Sequence, residues 1–205
     1  IYSRNLIYSI LVFIGSVKNY LMSMGGSEMK QNKKTVSPMS NEGRNTYVIE
    51  HITDALLELM QDKPIEDISI SELCETAGIG RASFYRNFNS KEDILRGYIQ
   101  NIFQEWTPGD NQNEGKPLSE LLKSIFSHFE AHRSFYELLN QRNLIYLLKD
   151  VIIGICGPKP EHSKMEAYAR AYVSYALYGW IEVWFQRGMQ ETAEEIAELF
   201  QSQGL

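Results

Sequence analysis

From residue 46 onward the apolar positions recur every three to four residues, and no stretch alternates long enough to make a strand. Ile52, Ala55, Leu56, Leu59 and Met60 form one stripe and predict a helix from Thr46 to Gln61, broken by Asp62-Lys63-Pro64. Two short helical segments follow, around 70–77 and 81–88. A longer one runs from Lys91 to Trp106, with Ile94, Leu95, Tyr98, Ile99, Ile102 and Phe103 along one side. TPGDNQNEGKP (107–117) is a turn-rich boundary. Beyond it, Leu121, Leu122, Ile125, Phe126 and Phe129 predict a helix from Leu118 to Ala131. Others are predicted from His132 to Leu139, from Asn143 to Ile153 and from Glu161 to Arg187, the last stopped by Gly188. GPKP (157–160) is a loop, and Thr192 with Glu195 caps a closing helix that ends near Gln201. No repeat is present. The fold class is all-α.

The densest signal lies between Ile68 and Leu95. Ser69 and Glu72 fit a capping box, in which the hydroxyl accepts from a first-turn N–H and the carboxylate reaches back to the cap. Ile70, Leu73 and Ala77 share a face, and Gly78 stands where a left-handed cap suits glycine. The next helix carries Phe84 and Phe88 four residues apart, so both rings point one way and Arg81, Ser83, Tyr85 and Arg86 point the other. Ser90 and Asp93 form a second capping box, with Lys91 in its first turn. Such a pair of helices places one of them in a DNA major groove. Arginine reads a guanine edge with two hydrogen bonds, while hydroxyls, lysine and helix N-termini suit phosphate oxygens. The alternative is that these are ordinary solvent-facing residues of a small bundle.

The stretch resembles the N-terminal domain of the tetracycline-repressor (TetR) family. The residues that carry the likeness are ALLELM (55–60), SELCETAGI (71–79), then Phe84, Tyr85, Phe88, Lys91 and Leu95, over about residues 44–106. The resemblance implies that Tyr85 and Lys91 touch phosphates and that Arg81, Ala82 and Ser83 face bases or the groove. Ser71 and Arg86 complete the expected DNA contacts. Gly80 departs from the Ser or Thr frequent there; it caps a helix acceptably but offers no hydroxyl. The closing stretch YALYGWIEVWFQRGMQETAEEIAELF resembles a subgroup related to regulators of dihydroxyacetone kinase. The domains expected are an extension and arm (1–43), a helix-turn-helix domain with its connecting helix (44–106), and a helical body for effector binding and dimerisation (107–205).

Charge refines this picture. The 205-residue chain carries a formal net charge of −6, so it does not bind nucleic acid by overall charge. Between Gly78 and Arg96, however, Arg81, Arg86, Lys91 and Arg96 stand against only Glu92 and Asp93. A small basic face on an acidic body suits a few specific sites, with weak and salt-sensitive binding elsewhere. Cys74 and Cys156 lie in different halves and imply no disulfide framework; Cys74 reads as core, and Cys156, in a loop, as an inert thiol or a redox sensor. Near the start, LIYSILVFI (6–14) is far short of the ~20 residues that span a bilayer. An upstream extension, with translation starting at Met29, is the preferred reading and a membrane anchor the other. Residues 23–45 read as a mobile arm whose Lys30, Lys33 and Lys34 either brush phosphates or are simply solvated.

The long helix over 161–187 carries Tyr168, Tyr172, Tyr175, Tyr178, Trp180, Ile181, Trp184 and Phe185, so it should be buried on more than one side. Two closing helices from each subunit make a four-helix interface in the family this chain resembles. Tyr175, Trp180, Trp184, Ile196, Leu199 and Phe200 are the expected dimer contacts, the alternative being that the stripe is core of one chain. Phe126, Phe129, Phe135, Tyr136, Tyr146, Tyr168 and Tyr172 are the expected lining of an effector pocket, or plain core. His128 and His132 share a helical spacing, yet no acidic or cysteine partner is near, so no metal and no cofactor is expected. No catalytic triad or phosphate loop appears, and an enzyme is not expected. The expected function is a cytoplasmic, homodimeric regulator, repressor rather than activator, which binds a pseudo-palindromic operator in double-stranded DNA. A small-molecule effector of unknown identity would alter it, and no membrane is involved. A TetR-like adaptor or co-activator acting through a protein partner is the alternative.

Overall fold

The structure, a computed structural model, describes residues 41–105 and 118–202. The apolar N-terminal stretch, residues 23–40 of the expected arm and the 107–117 boundary lie outside the described residues, while residues 41–45, expected in that arm, are the first turn of a helix. Nine α-helices are present among those described: α1 Asn41–Asp62, α2 Ile70–Thr76, α3 Arg81–Asn87, α4 Lys91–Glu105, α5 Leu118–Ala131, α6 Arg133–Gln141, α7 Tyr146–Cys156, α8 Lys164–Gln186 and α9 Ala193–Ser202. A 3-10 turn, Ile65–Asp67, links α1 to α2 and was not legible from the sequence pattern. No described residue lies in a strand.

The described residues form two compact units. One comprises 41–105 together with Leu138–Leu148. In it α1 packs against α2, α3 and α4, and α2 against α3. Ile52, Leu56, Met60, Leu73, Phe84, Leu95 and Ile99 are wholly buried there. This is the 3.6-residue stripe of α1 closing over the apolar faces of three shorter helices. The other unit holds residues 118–137 and 149–202. Its α5 packs against α9, and its core is aromatic: Phe126, Phe129, Tyr136, Trp184 and Phe185. The side chain of Glu130 accepts from the N–H of Ala193 at 2.9 Å, which satisfies an orphan donor at the start of α9. The segment 138–148 thus clusters with the helix-turn-helix unit, although it lies within the stretch that the sequence assigns to the body.

Helix ends follow local chemistry. At Gly78 (φ 65°), Asn143 (φ 59°) and Gly188 (φ 76°) the chain turns left-handed. In each case two backbone bonds close the end: Ile79 to Cys74 and Gly78 to Glu75, Leu144 to Leu139 and Asn143 to Asn140, Met189 to Trp184 and Gly188 to Phe185. The Asn143 cap corrects one expectation. The helix foreseen from Asn143 begins at Tyr146, because Asn143 terminates α6. Likewise α8 starts at Lys164, not Glu161, since Ser163 caps it by accepting from Glu166 N–H.

Alanine at Gly188 would meet no neighbouring atom within 4 Å, so its cost is purely that of the left-handed backbone. Gly188→Ala should destabilise by about 1 kcal/mol. Gly97→Ala, in the interior of α4 with equally open space around it, should instead stabilise by about 0.5–1 kcal/mol. Urea melts of the two variants check the opposite signs.

Candidate nucleic-acid interface

The site is built by two short helices held at a glycine turn. Ser69 accepts from the Glu72 N–H at 3.1 Å and starts α2. The Glu72 carboxylate takes a further partner that the sequence did not reveal, the ammonium of Lys63 at 2.6 Å. Lys63, and beside it the backbone N–H of Ser69, hold the Glu72 carboxyl below the usual range. The box thus becomes a three-way tie between the α1–α2 connector and α2. Cys74 is buried in α2, as foreseen, and burial pushes its thiol up. Cys156 closes α7 and does not lie in a loop.

Gly80 caps α3 with backbone only: its carbonyl accepts from Ser83 at 2.9 Å and no side chain joins in. Phe84 is fully buried, with Phe88 half-buried and 6.0 Å away ring to ring. These anchors orient the helix. Arg81, Ala82, Tyr85 and Arg86 are left exposed on the opposite side, Tyr85 at 62%. Ser83 is half-buried, and its carbonyl accepts from Asn87. Ser71 is exposed on α2. Among the described residues neither Arg81 nor Arg86 takes part in an ion pair. An exposed face with two guanidinium groups, a phenol and a small alanine can approach a groove and present donors to base edges and phosphates.

Lys91 is placed differently from the rest. Its ammonium, half-buried, donates to the carbonyls of Ile65 in the 3-10 turn and of Ile68 just after it. Two of its three N–H donors are thereby used to hold the connector, which leaves one for a phosphate. The box that starts its helix forms as foreseen, with Asp93 accepting from Ser90 N–H and Ser90 from Asp93 N–H.

The residues expected in the body fall into two groups. Phe126, Phe129, Phe135 and Tyr136 are buried and stack on one another. Tyr168 (72% exposed) and Tyr172 (55%) lie on the surface, so they do not line the interior of a protomer. Tyr146 is exposed as well and belongs to the other unit. Four of the seven are thus buried together and three stand exposed. Of the expected dimer contacts, Trp184, Ile196 and Phe200 are core of their own chain. Trp180 is half-buried, 5.6 Å from Phe200, while Tyr175 and Leu199 are exposed. For the residues on α8 the reason is the same in both cases: that helix is apolar over much of its circumference, and its periodicity marks no single inward side. Outward along α8 run Met165, Tyr168, Tyr172, Tyr175 and Val183.

His128 and His132 do come together, their rings 4.9 Å apart. His128 is buried, and burial, followed by the neighbouring His132, brings its pKa down to about 4. Among the described residues no three groups that could ligate a metal come together. No described helix is long and apolar enough to cross a membrane.

Comparison with known proteins bears on this geometry. Residues 52–98 match the model for bacterial regulatory proteins of the tetR family, and residues 116–202 match one for a transcriptional regulator C-terminal region. Together they take in well over half of the chain. The HTH-type transcriptional regulator YxbF of Bacillus subtilis is 24% identical over 163 residues, 72% of this chain and 42% of YxbF. The HTH-type dhaKLM operon transcriptional activator DhaS of Lactococcus lactis is 31% identical over 86 residues, 42% of this chain and 45% of DhaS. The matches thus span less than half the length of these two relatives. In fold, the crystal structure of Lin0861 from Listeria innocua superposes with a TM-score of 0.59 at 19% identity, covering 83% of this chain and 96% of that one.

Proposed function

We propose that this chain, which belongs to the tetR family of bacterial regulatory proteins, acts as a homodimeric repressor on a pseudo-palindromic operator and responds to a small-molecule effector. It is a transcriptional regulator with a helix-turn-helix. The observation that carries the finer reading is the outward face of α3, where Arg81, Tyr85 and Arg86 stand exposed over a buried Phe84. Arg81 reads a base edge, Tyr85 and Ser71 hold the backbone, and the remaining N–H of Lys91 reaches a phosphate. Dimerisation is supported by the exposed tyrosine stripe of α8 with Leu199 of α9, a surface that a two-fold axis can make self-complementary. An effector acts by binding one body shape better than the other, in the neighbourhood of Phe126, Phe129, Phe135 and Tyr136. As a regulator of this kind the chain works in the cytoplasm and carries out no catalysis. The likeness to DhaS, itself an activator, favours activation as the second reading of the sign.

The experiment is a footprinting titration on duplexes that the protein selects from a random pool. Two protected half-sites about 10 base pairs apart are expected of a dimer. Arg81→Ala should lose about 1–3 kcal/mol of discrimination at one position of each half-site, so its sequence preference relaxes. Tyr85→Phe should weaken binding to every duplex alike, by about 0.5–1.5 kcal/mol. Unchanged footprints for both variants would refute these roles.

A further inference from the structure

α1 is the platform of the reader. It packs against α2, α3 and α4, and its end leads through the 3-10 turn into the helix-turn-helix. A helix end needs partners for its last carbonyls and favours a positive charge nearby. α1 has no basic residue in its last turn and finishes on Asp62, an acid at the wrong pole. The missing cation comes from far along the chain. Arg142 donates through Nε to Met60 O at 2.7 Å and through a terminal guanidinium nitrogen to Gln61 O at 2.6 Å. Met60 is fully buried, which fixes one of the two acceptors in the core.

Arg142 is itself held. It lies between α6 and α7, immediately before the left-handed Asn143, with its N–H on Leu138 O at 3.0 Å. Leu138, Leu139, Leu144, Leu147 and Leu148 around it are buried, and the whole corner belongs to the reader unit. Beyond the Arg142 clamp, Lys63 ties the connector to α2, and Lys91 ties Ile65 and Ile68 to the start of α4. Three cations thus fasten residues 60–68 in succession, and Arg142 is the one contributed by the α6–α7 corner. None of these contacts uses the exposed face of α3.

We infer that Arg142 is a positioning residue for DNA reading: by clamping the last carbonyls of α1 it sets where the recognition helix stands, without touching DNA. The inference rests on the DNA-binding reading above. Base readout demands placement within roughly half an ångström and 10–20°, so a loosened α1 end costs affinity. Because Arg142 neutralises no phosphate, its removal leaves the salt dependence as it was, since that slope counts phosphates.

The test is a set of binding titrations across a salt series, on a duplex selected by the wild-type protein from a random pool. They compare wild type, Arg142→Ala and Arg142→Lys, with Arg86→Ala as a contact-face reference, all checked for folding by circular dichroism. Arg142→Ala is expected to bind roughly tenfold more weakly, with its log–log salt slope unchanged. Arg142→Lys, which keeps the charge but not the two-pronged geometry, should recover part of the loss. Arg86→Ala should lower the slope by about one. Wild-type affinity in Arg142→Ala would make the clamp merely structural, and a lowered slope in that variant would make Arg142 a phosphate contact; either overturns the inference. If wild type selects no duplex, the DNA-binding reading fails first. Amide hydrogen exchange then decides the positioning claim alone. Arg142→Ala, or Arg142→Lys if alanine does not fold, should speed exchange over 63–77 and leave α5 and α8 unaltered; equal exchange over 63–77 sinks it.

Discussion

Trp184→Ala should destabilise the protein by about 4 kcal/mol, the largest single effect expected here. Trp184 is 1% exposed and packs edge-on to Phe126 at 5.1 Å, with Phe185 at 5.6 Å and Phe129 at 6.2 Å. Its indole N–H also donates to Glu191 O at 2.8 Å, which ties the end of α8 to the turn before α9. Alanine removes the ring, opens a void among three aromatics and strips Glu191 of its donor. Domains of this size are stable by roughly 5–15 kcal/mol, so the loss is a large part of the total. Trp184→Phe should cost less, about 1–2 kcal/mol, because volume is largely kept and only the hydrogen bond is given up. Urea melts at two protein concentrations make the measurement. A core residue gives the same loss at both. Were Trp184 a subunit contact, as its place in the sequence suggested, the alanine variant would keep its protomer fold and its loss would depend on concentration.

The second large effect is pH-dependent. His128 in the folded chain has its pKa lowered to about 4, by burial first and by His132 next. In the unfolded chain it takes up a proton near the ordinary value of about 6.5. Below that pH the unfolded state binds the proton and the folded state does not, so stability falls as pH falls from 6.5 towards 4. The full loss is on the order of 3 kcal/mol, of which about 2 kcal/mol is reached at pH 5. Above pH 7 the group costs nothing. His128→Phe keeps a ring against Phe129 and Tyr136 and cannot titrate. The gap between its unfolding free energy and that of wild type should therefore shift by about 2 kcal/mol between pH 7.5 and pH 5. A constant gap over that range would mean that His128 takes up its proton at the same pH in the folded as in the unfolded chain.

Local sequence chemistry was enough for several helix ends and for the outward face of α3. Ser69, Gly78, Ser90, Thr192 and Gly188 mark helix ends through bonds spanning three to five residues, and all of them stand where the pattern put them. Phe84 goes inward and Arg81, Tyr85 and Arg86 outward, because a short amphipathic helix with two aromatics on one side has only one way to bury them. Lys91 marks the edge of that legibility. Its place in the first turn of α4 was clear, but its acceptors stand 23 and 26 residues earlier in the chain.

The long helix shows the other case. Along α8 the buried positions include Arg170 and Ser174, while Met165, Tyr168, Tyr172 and Tyr175 face out, the reverse of what hydropathy suggests. Arg170 can go inward because Glu166 pairs with it one turn earlier, at 3.0 Å. By itself, then, the amino-acid order determined the all-α class, the helix ends marked by Ser69, Gly78, Ser90, Gly188 and Thr192, and the face of the recognition helix. Each follows from interactions within one or two turns. Tertiary packing alone decided the phase of α8, the division of its aromatics between core and surface, and the placing of Arg142 at the end of a helix 82 residues away. An evenly apolar helix has no preferred side until its neighbours are in place, and a carbonyl 82 residues distant leaves no trace in the local pattern.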